Sequence, residues 1–297
     1  MLVKCRNANN EAIRSDAATL YSLQPQLDQK SFGDAETITD HARGGDDVIT
    51  GSGRFPSIFG DAQTLTGHGS GGNDVVSATG DAVTACGDAG TMSGFSVGGN
   101  DTVEADALFS AAAYGDAITM TDHAQGGDDI VSGSSGPISF VNGNTHLYGD
   151  AESLSGFSVG GNDTLLGADV APPGSGTSTT MYGDGDELLD HAKGGNDRLI
   201  SGPGNEQMWG DAATVAPTAQ TGADTFVFSP PNGQDVINDF QPGKDHIELD
   251  GFGFKNFNDV ASHIQDTQSG AFITFDANDS ILVVGVHQLN AGDIVLA

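Results

Sequence analysis

Seven times between Phe32 and Asp224 the chain repeats one pattern: an aromatic or small apolar residue, Gly-Asp, then a Gly-rich turn that closes on Asp. The openings are Phe32-Gly33-Asp34, Phe59-Gly60-Asp61, Cys86-Gly87-Asp88, Tyr114-Gly115-Asp116, Tyr148-Gly149-Asp150, Tyr182-Gly183-Asp184 and Trp209-Gly210-Asp211. The closings are Asp47, Asp74, Asp101, Asp129, Asp163, Asp197 and Asp224, six of them in Gly-Gly-Asn/Asp-Asp and the last in Gly222-Ala223-Asp224. Opening and closing Asp stand 13 residues apart in every copy, whereas the way to the next opening takes 14, 14, 15, 21, 21 and 14 residues. A segment that keeps its length while its neighbour does not is held by geometry. A regular repeat carrying carboxylates and glycines at a fixed offset points to stacked coils with a repeated metal site.

Apolar residues recur in register with the carboxylates. Two residues after each closing Asp stands Ile49, Val76, Val103, Val131, Leu165, Leu199 or Phe226. Four residues after each opening Asp stands Ile38, Leu65, Met92, Met120, Leu154, Leu188 or Val215. The residue before each Gly-Asp forms a third, mostly aromatic ladder. These segments predict strands of three to five residues, too short for independent hairpins but able to form continuous apolar rows about 4.8 Å apart when stacked. No long helical period interrupts them, so the expected fold class is all-β, a parallel roll. This regularity argues against disorder, which an acidic, Gly-rich composition would otherwise suggest.

Charge narrows the partners. Asp and Glu number 41 against 10 Lys and Arg, a net charge of −31, while residues 1–30 alone are net +1. Such a body repels nucleic acid and anionic membranes, so no nucleic-acid partner is expected. The same charges make a cation necessary. Asp side chains stacked roughly 5 Å apart repel by about 3 kcal/mol per pair at an effective dielectric near 20. Six such steps outweigh the ~5–15 kcal/mol that holds an ordinary domain together. Calcium, with six to eight flexible oxygen ligands, suits carbonyl-plus-carboxylate turns better than octahedral magnesium. The closing Asp residues are the first candidate ligands. For the openings Asp34, Asp61, Asp88, Asp116, Asp150, Asp184 and Asp211, ligation competes with a turn-stabilising hydrogen-bond role.

Val159-Gly160-Gly161-Asn162-Asp163-Thr164-Leu165 and Gly202-Pro203-Gly204-Asn205-Glu206-Gln207-Met208 look like pieces of the nonapeptide G-G-x-G-x-D-x-U-x. Over roughly residues 32–228 the chain thus resembles the RTX, or hemolysin-type, calcium-binding family, whose fold is a parallel β-roll. The resemblance implies calcium ions between coils, held by the turn Asp and by backbone carbonyls, here those of Gly45, Gly72, Gly99, Gly127, Gly161 and Gly195. The second turn of each coil departs from the pattern. Glu206 or Thr145 stands where Asp is expected, and Gly51-Ser52-Gly53-Arg54-Phe55-Pro56 has no carboxylate. Strong sites are therefore expected along one edge, with weak or absent sites along the other, where Glu206 lacks partners. The 13-residue segment reads as a lengthened turn projecting from the roll, with three nonapeptides per repeat as the alternative. Asp40-His41, Asp122-His123 and Asp190-His191 recur at one place that elsewhere holds Gly-His or Gly-Phe, which favours packing over metal ligation.

The expected domains are an N-terminal segment 1–31, capping or disordered, a roll over 32–221, and a C-terminal cap with secretion signal over 222–297. The last segment, from Asp235-Val236-Ile237 to Gly292-Asp293-Ile294-Val295-Leu296-Ala297, resembles the cap of serralysin-type, type I secreted proteins. That resemblance implies a type I exporter as partner and a secreted, extracellular location. Met1 to Lys30 has no apolar stretch of signal-peptide length, and no segment approaches a membrane-spanning run. Cys86 reads as a small buried thiol in the aromatic ladder, and a disulfide with Cys5 has little support. There is no His-Glu-x-x-His, and the lipase reading is set aside on the expectation that Gly-x-Ser-x-Gly is missing as well. Thirty-one residues before the first repeat cannot hold a catalytic domain. A fragment of a larger enzyme is less expected, since the chain starts at Met1 and its C-terminal segment is present. The expectation is a non-enzymatic calcium-binding roll that folds outside the cell and serves a structural or interaction role. The alternative is a membrane-active, pore-forming RTX effector, and binding to cell-surface polysaccharide or to liposomes would separate the two.

Overall fold

The computed structural model describes residues 19–20, 29–133, 144–167 and 178–297, with only backbone for 19, 20 and 29. The protein is all-β, a parallel roll, with one short helix, Phe257–Ala261, among the described residues. Each turn of the chain contributes three strand segments in sequence. One follows the closing Asp, one precedes Gly-Asp, and one follows it, as in Val48–Gly53, Pro56–Phe59 and Ala62–Leu65. The first two kinds join one large sheet, and the third builds a separate seven-stranded parallel sheet.

The apolar ladders are the reason the coils stack. The row Ile49, Val76, Val103, Val131, Leu165, Leu199 and Phe226 pairs in unbroken parallel register and runs on through Ile247 to Ile294. Every member is buried, and burying each such side chain contributes roughly 1.5–3 kcal/mol. The row from Ile38 to Leu188 forms a second core inside the seven-stranded sheet. Val215 continues its register but is 39% exposed, because Ala212–Val215 is the edge strand and no further coil covers it. The aromatic ladder makes a third cluster, with Tyr114, Tyr148, Tyr182 and Trp209 stacked at centroid distances of 4.7, 5.1 and 5.0 Å. Cys86 is a free, buried thiol in that row; Cys5 lies outside the described residues.

Two expectations change. The 13-residue segment does not project from the roll. Its Ala62–Leu65 type strands are a wall of the coil, and their Ala and Leu or Met side chains are core. The coil is thus three-sided, which is why the segment cannot vary in length. Nor are all strands short: Val75–Cys86 and Thr102–Tyr114 run 12 and 13 residues, because no loop separates the first two strand segments there. The 21-residue spacings of two later copies include 134–143 and 168–177, which lie outside the described residues.

At the turn inside the first six 13-residue segments the chain enters the left-handed region, at Asp40, Gly67, Gly94, Asp122, Gly156 and Asp190, with φ between 53° and 74°. Only Gly, Asn and Asp visit this region at low cost, which accounts for the Asp-or-Gly choice. The next residue then stacks on its counterpart, giving an exposed column His41, His68, Phe95, His123, Phe157, His191 with centroids 4.7–5.1 Å apart. The Asp-His doublets are packing at a surface turn.

Beyond the repeats the large sheet continues. Thr225–Phe228 pairs with His246–Leu249 and that with Ile294–Leu296, while Gln234–Ile237 pairs with Ser280–Val284. Among the described residues antiparallel pairing appears only in the last hairpins, Ile264–Thr267 to Ser280–Val284. At the other end Thr19–Leu20 pairs with Val48 and Ile49, covering an open sheet edge. Because stability comes from neighbouring coils, Leu165→Ala is expected to cost about 2–5 kcal/mol and Val215→Ala under about 0.5 kcal/mol. Denaturant unfolding in calcium measures both, and equal losses would contradict the row assignment.

Candidate metal centre

The constant 13-residue spacing closes a hydrogen-bonded loop. The opening carboxylate of each copy accepts from the amide of a glycine eleven residues on: Gly45 to Asp34 at 2.6 Å, Gly72 to Asp61 at 3.0 Å, Gly127 to Asp116 at 3.0 Å, Gly161 to Asp150 at 2.7 Å and Gly195 to Asp184 at 2.6 Å. Gly99 donates to both oxygens of Asp88 at 3.1 Å, and Gly222 donates to Asp211. The closing carboxylates link coil to coil instead. Oδ1 of Asp74, Asp101, Asp129, Asp163, Asp197 and Asp224 accepts from the backbone N–H of the closing Asp one coil earlier, at 2.6–2.9 Å. Both sets lie along one edge of the roll.

The second oxygens define the site. Oδ2 of Asp74, Asp101, Asp129, Asp163, Asp197 and Asp224 is buried without a hydrogen-bond donor. So are Oδ1 of Asp61 and Oδ2 of Asp116, Asp150 and Asp184. Of the two roles the sequence left open for the openings, the turn-bracing hydrogen bond is present in all seven, and in these four the other oxygen has no donor. A buried acceptor with no donor costs about 1–3 kcal/mol, more when charged, and here the cost is repeated in every coil.

Glycine lets these oxygens converge. A Cβ at Gly60, Gly87, Gly115, Gly149 or Gly183 would overlap the carbonyl oxygen of the next coil's glycine and also a closing carboxylate. A Cβ at Gly72, Gly99, Gly127, Gly161 or Gly195 would overlap the carbonyl of the preceding coil's glycine in the same column. Among the described residues no three His, Cys, Asp or Glu side chains group to hold a metal by themselves. The oxygens that converge on this edge are glycine carbonyls along with carboxylates. All these donors are hard oxygens, which fits calcium.

Burial governs the acids' behaviour. It raises Asp74 to about 9 and Asp61 to about 8, each helped by the neighbouring carboxylates. Burial likewise lifts Asp101, Asp129, Asp163 and Asp197 well above the carboxylate range. At the last repeat the protein brings its own counter-groups. Burial raises Asp211 to about 6, held down by the Gly222 amide, by Lys244 and by Gln241, whose Nε2 donates to it at 2.8 Å.

An outer ladder was not foreseen. Asp46, Asn73, Asn100, Asp128, Asn162 and Asn196 each accept, through Oδ1, the backbone N–H of the equivalent residue in the next coil at 2.8–3.2 Å. The signal was present, since each of the first six closing Asp residues follows an Asn or Asp. Two further corrections concern excluded features. Glu206 is not on a bare edge: it is 1% exposed, accepts from Ser201, and its backbone N–H donates to Asp235. The pentapeptide Gly-x-Ser-x-Gly does occur, as Gly94-Phe95-Ser96-Val97-Gly98 and Gly156-Phe157-Ser158-Val159-Gly160. Both serines are fully buried in roll turns, not raised on a strand-to-helix elbow, so neither presents a nucleophile.

Over residues 42–293 the sequence matches the family described as peptidase M10 serralysin C terminal. The chain belongs to this family. Among curated proteins none matches it. The carboxylate edge is thus that of a calcium-binding RTX β-roll, of the serralysin type found in secreted proteins.

The raised carboxylates set a pH dependence for the calcium-free roll. Unfolded, these acids titrate near 3.8; folded, they hold protons up to about 6 at Asp150 and about 9 at Asp74. Protonation thus stabilises the cation-free fold fully below pH ~3.8, and that stability is lost as pH rises through the folded values. Calcium-free chain should be compact in acid and expanded at pH 8, read by circular dichroism across the range. Greater compactness at pH 8 than in acid would contradict it.

Proposed function

We propose that the chain is a secreted, non-catalytic protein whose roll folds outside the cell when calcium occupies the carboxylate edge. The observation that carries this reading is the row of buried closing-Asp Oδ2 atoms that have no donor. Calcium, when bound, supplies the positive charge that lets these acids stay ionised while buried. The protein's own part is positional. Gly-Gly amides hold the opening carboxylates, closing-Asp amides hold the next coil's carboxylates, and the glycine columns keep carbonyls within reach.

Coupling to folding follows from concentration. A site with a dissociation constant of ~100 µM contributes about 1.4 kcal/mol at ~1 mM calcium and almost nothing below a micromolar. Six gaps between coils then add about 8 kcal/mol, comparable to the whole stability of a domain. In low calcium the chain stays expanded, and in external calcium it closes. Far-ultraviolet circular dichroism should therefore change from unfolded in chelator to β-rich in millimolar calcium, and Asp163→Ala should weaken calcium cooperativity by emptying two adjacent gaps. Identical spectra in both conditions would end this reading.

The same switch suits export of an unfolded chain through a one-step type I exporter that reads the C-terminal segment. The support is the serralysin-like region together with a roll that low calcium leaves open. Removing residues from about Gly251 onward should trap the protein inside cells expressing such an exporter, while removing Met1 to Lys30 should not. A C-terminally deleted form reaching the medium at full-length levels would refute the exporter proposal.

A further inference from the structure

The outer face of the seven-stranded sheet carries an array that the carboxylate edge does not use. On either side of the buried Ile38, Leu65, Met92, Met120 and Leu154, the residues before and after point outward by the alternation of a strand. Those before are Thr37, Thr64, Thr91, Thr119 and Ser153, paired in unbroken parallel register. Those after are Thr39, Thr66, Ser93, Thr121 and Ser155. Each of the last four donates its N–H to the carbonyl of the buried residue one coil earlier, at 2.9–3.0 Å. Thr37 and Thr39 are exposed and the others half-buried. Glu187 and Leu189 end the pattern in the sixth coil.

Three properties set this face apart. It is uncharged: in a chain with 41 Asp and Glu, none of these ten positions holds an acid. It is regular, with hydroxyl-bearing residues about 4.8 Å apart along the roll and about 6.6 Å apart across it, two residues of strand. It is also flat. In the turn beside it the rings of His68, Phe95, His123 and Phe157 lie 12°, 4° and 12° from parallel in succession, whereas neighbouring strands of an ordinary sheet are rotated by roughly 20–25°. Branching at Cβ restricts χ1 of each Thr, so the hydroxyls keep their places. Thr66 Oγ1 and Ser93 Oγ bond to each other at 2.8 Å. Among the described residues Thr37, Thr64, Thr91 and Thr119 find no side-chain partner in the protein, and their hydroxyls are left to solvent.

Such a face fits a partner that is itself a lattice. One hydroxyl bonded to one water gains little, because the bond replaces another in bulk. Ten held in fixed places act together, and only on a partner with the same two-dimensional repeat. A polysaccharide is read by open aromatic faces or by acids and amides. Here the nearby rings cover one another's faces, and the array offers hydroxyls and methyl groups alone. An ice surface is neutral and extended, and presents oxygens in a planar lattice of closely similar spacing.

We propose that the Thr and Ser array on the outer face of the seven-stranded sheet is an ice-binding surface. Waters ordered over its hydroxyls and between its methyl groups merge with the crystal. Calcium acts only by folding the roll, so the surface rests on the calcium reading for its existence but not for its ligand.

The test partitions the full chain, in calcium, between slowly growing ice and the liquid, with circular dichroism on the same samples. The unsubstituted chain should enter the ice. Thr91→Tyr, with a bulky side chain in the middle of the array, should be excluded. Thr102→Tyr, at an exposed position of the large sheet, should enter like the unsubstituted chain. Thr119→Lys repeats the test one coil away in case Thr91→Tyr does not fold. A β-rich unsubstituted chain that ice excludes overturns the proposal, whether or not it binds powdered cellulose or chitin. Full ice entry by folded Thr91→Tyr or Thr119→Lys, or exclusion of folded Thr102→Tyr, overturns it as well. Should the unsubstituted chain stay unfolded in calcium, the repeat-edge reading falls first and this one with it.

Discussion

The structure depends on one constraint: acids are buried in series along a single edge with no basic side chain beside most of them. Taking a carboxylate out of water costs several kcal/mol even after relaxation, and stacking it under another at strand spacing adds repulsion. Hydrophobic rows such as Ile49 to Ile294 supply stacking energy but cannot cancel charge. The roll is therefore conditional, and its condition is either protons or a hard cation. The burial that raises Asp74 to about 9 also makes the fold sensitive to what occupies that edge.

Much of this was legible in the sequence because every signal repeated. A single Gly-Gly-Asn-Asp says little, but seven in register with Val76, Val103, Val131 and their kin fixed the parallel stacking, the inward rows and the acidic edge together. What failed to show was how the 13-residue segment folds. Its Ala62-Gln63-Thr64-Leu65 type strand has apolar residues three apart, so it carries no alternation by which a strand is recognised. The outer Asn ladder was missed for a related reason. Asn73 and Asn100 bond to the neighbouring coil, and a bond between coils leaves no local pattern beyond the identity of the residue.

Glu206 shows a different limit. Within the repeats it looked like a degenerate residue on an edge without partners. Its partner Asp235 comes from after the last repeat, in a segment whose sequence no longer repeats. Periodic reasoning compares a residue with its equivalents, and at Glu206 the equivalents are Thr145 and Thr179, which have no carboxylate. The relevant neighbour lay one strand further on, beyond the reach of that comparison.

The edge also has a direction. Each closing Asp donates its N–H to the carboxylate of the coil that follows, from Asp47 through Asp224, and the last donates to Asp245 at 3.1 Å. Asp245 stands level with Asp224 in the strand register and continues the series, with one difference. Its other oxygen accepts from the backbone N–H of Gln241, four residues earlier, at 2.7 Å. Beside it Gln241 and Lys244 answer the final opening carboxylate, Asp211, with groups the chain itself provides. At the C-terminal end of the ladder the chain's own donors thus reach the opening carboxylate Asp211, whereas Oδ2 of the closing Asp224 is left without a donor like those of the interior coils. In a solenoid whose units are stable only through their neighbours, the strands after the last coil give the array a boundary on which each preceding coil can be laid.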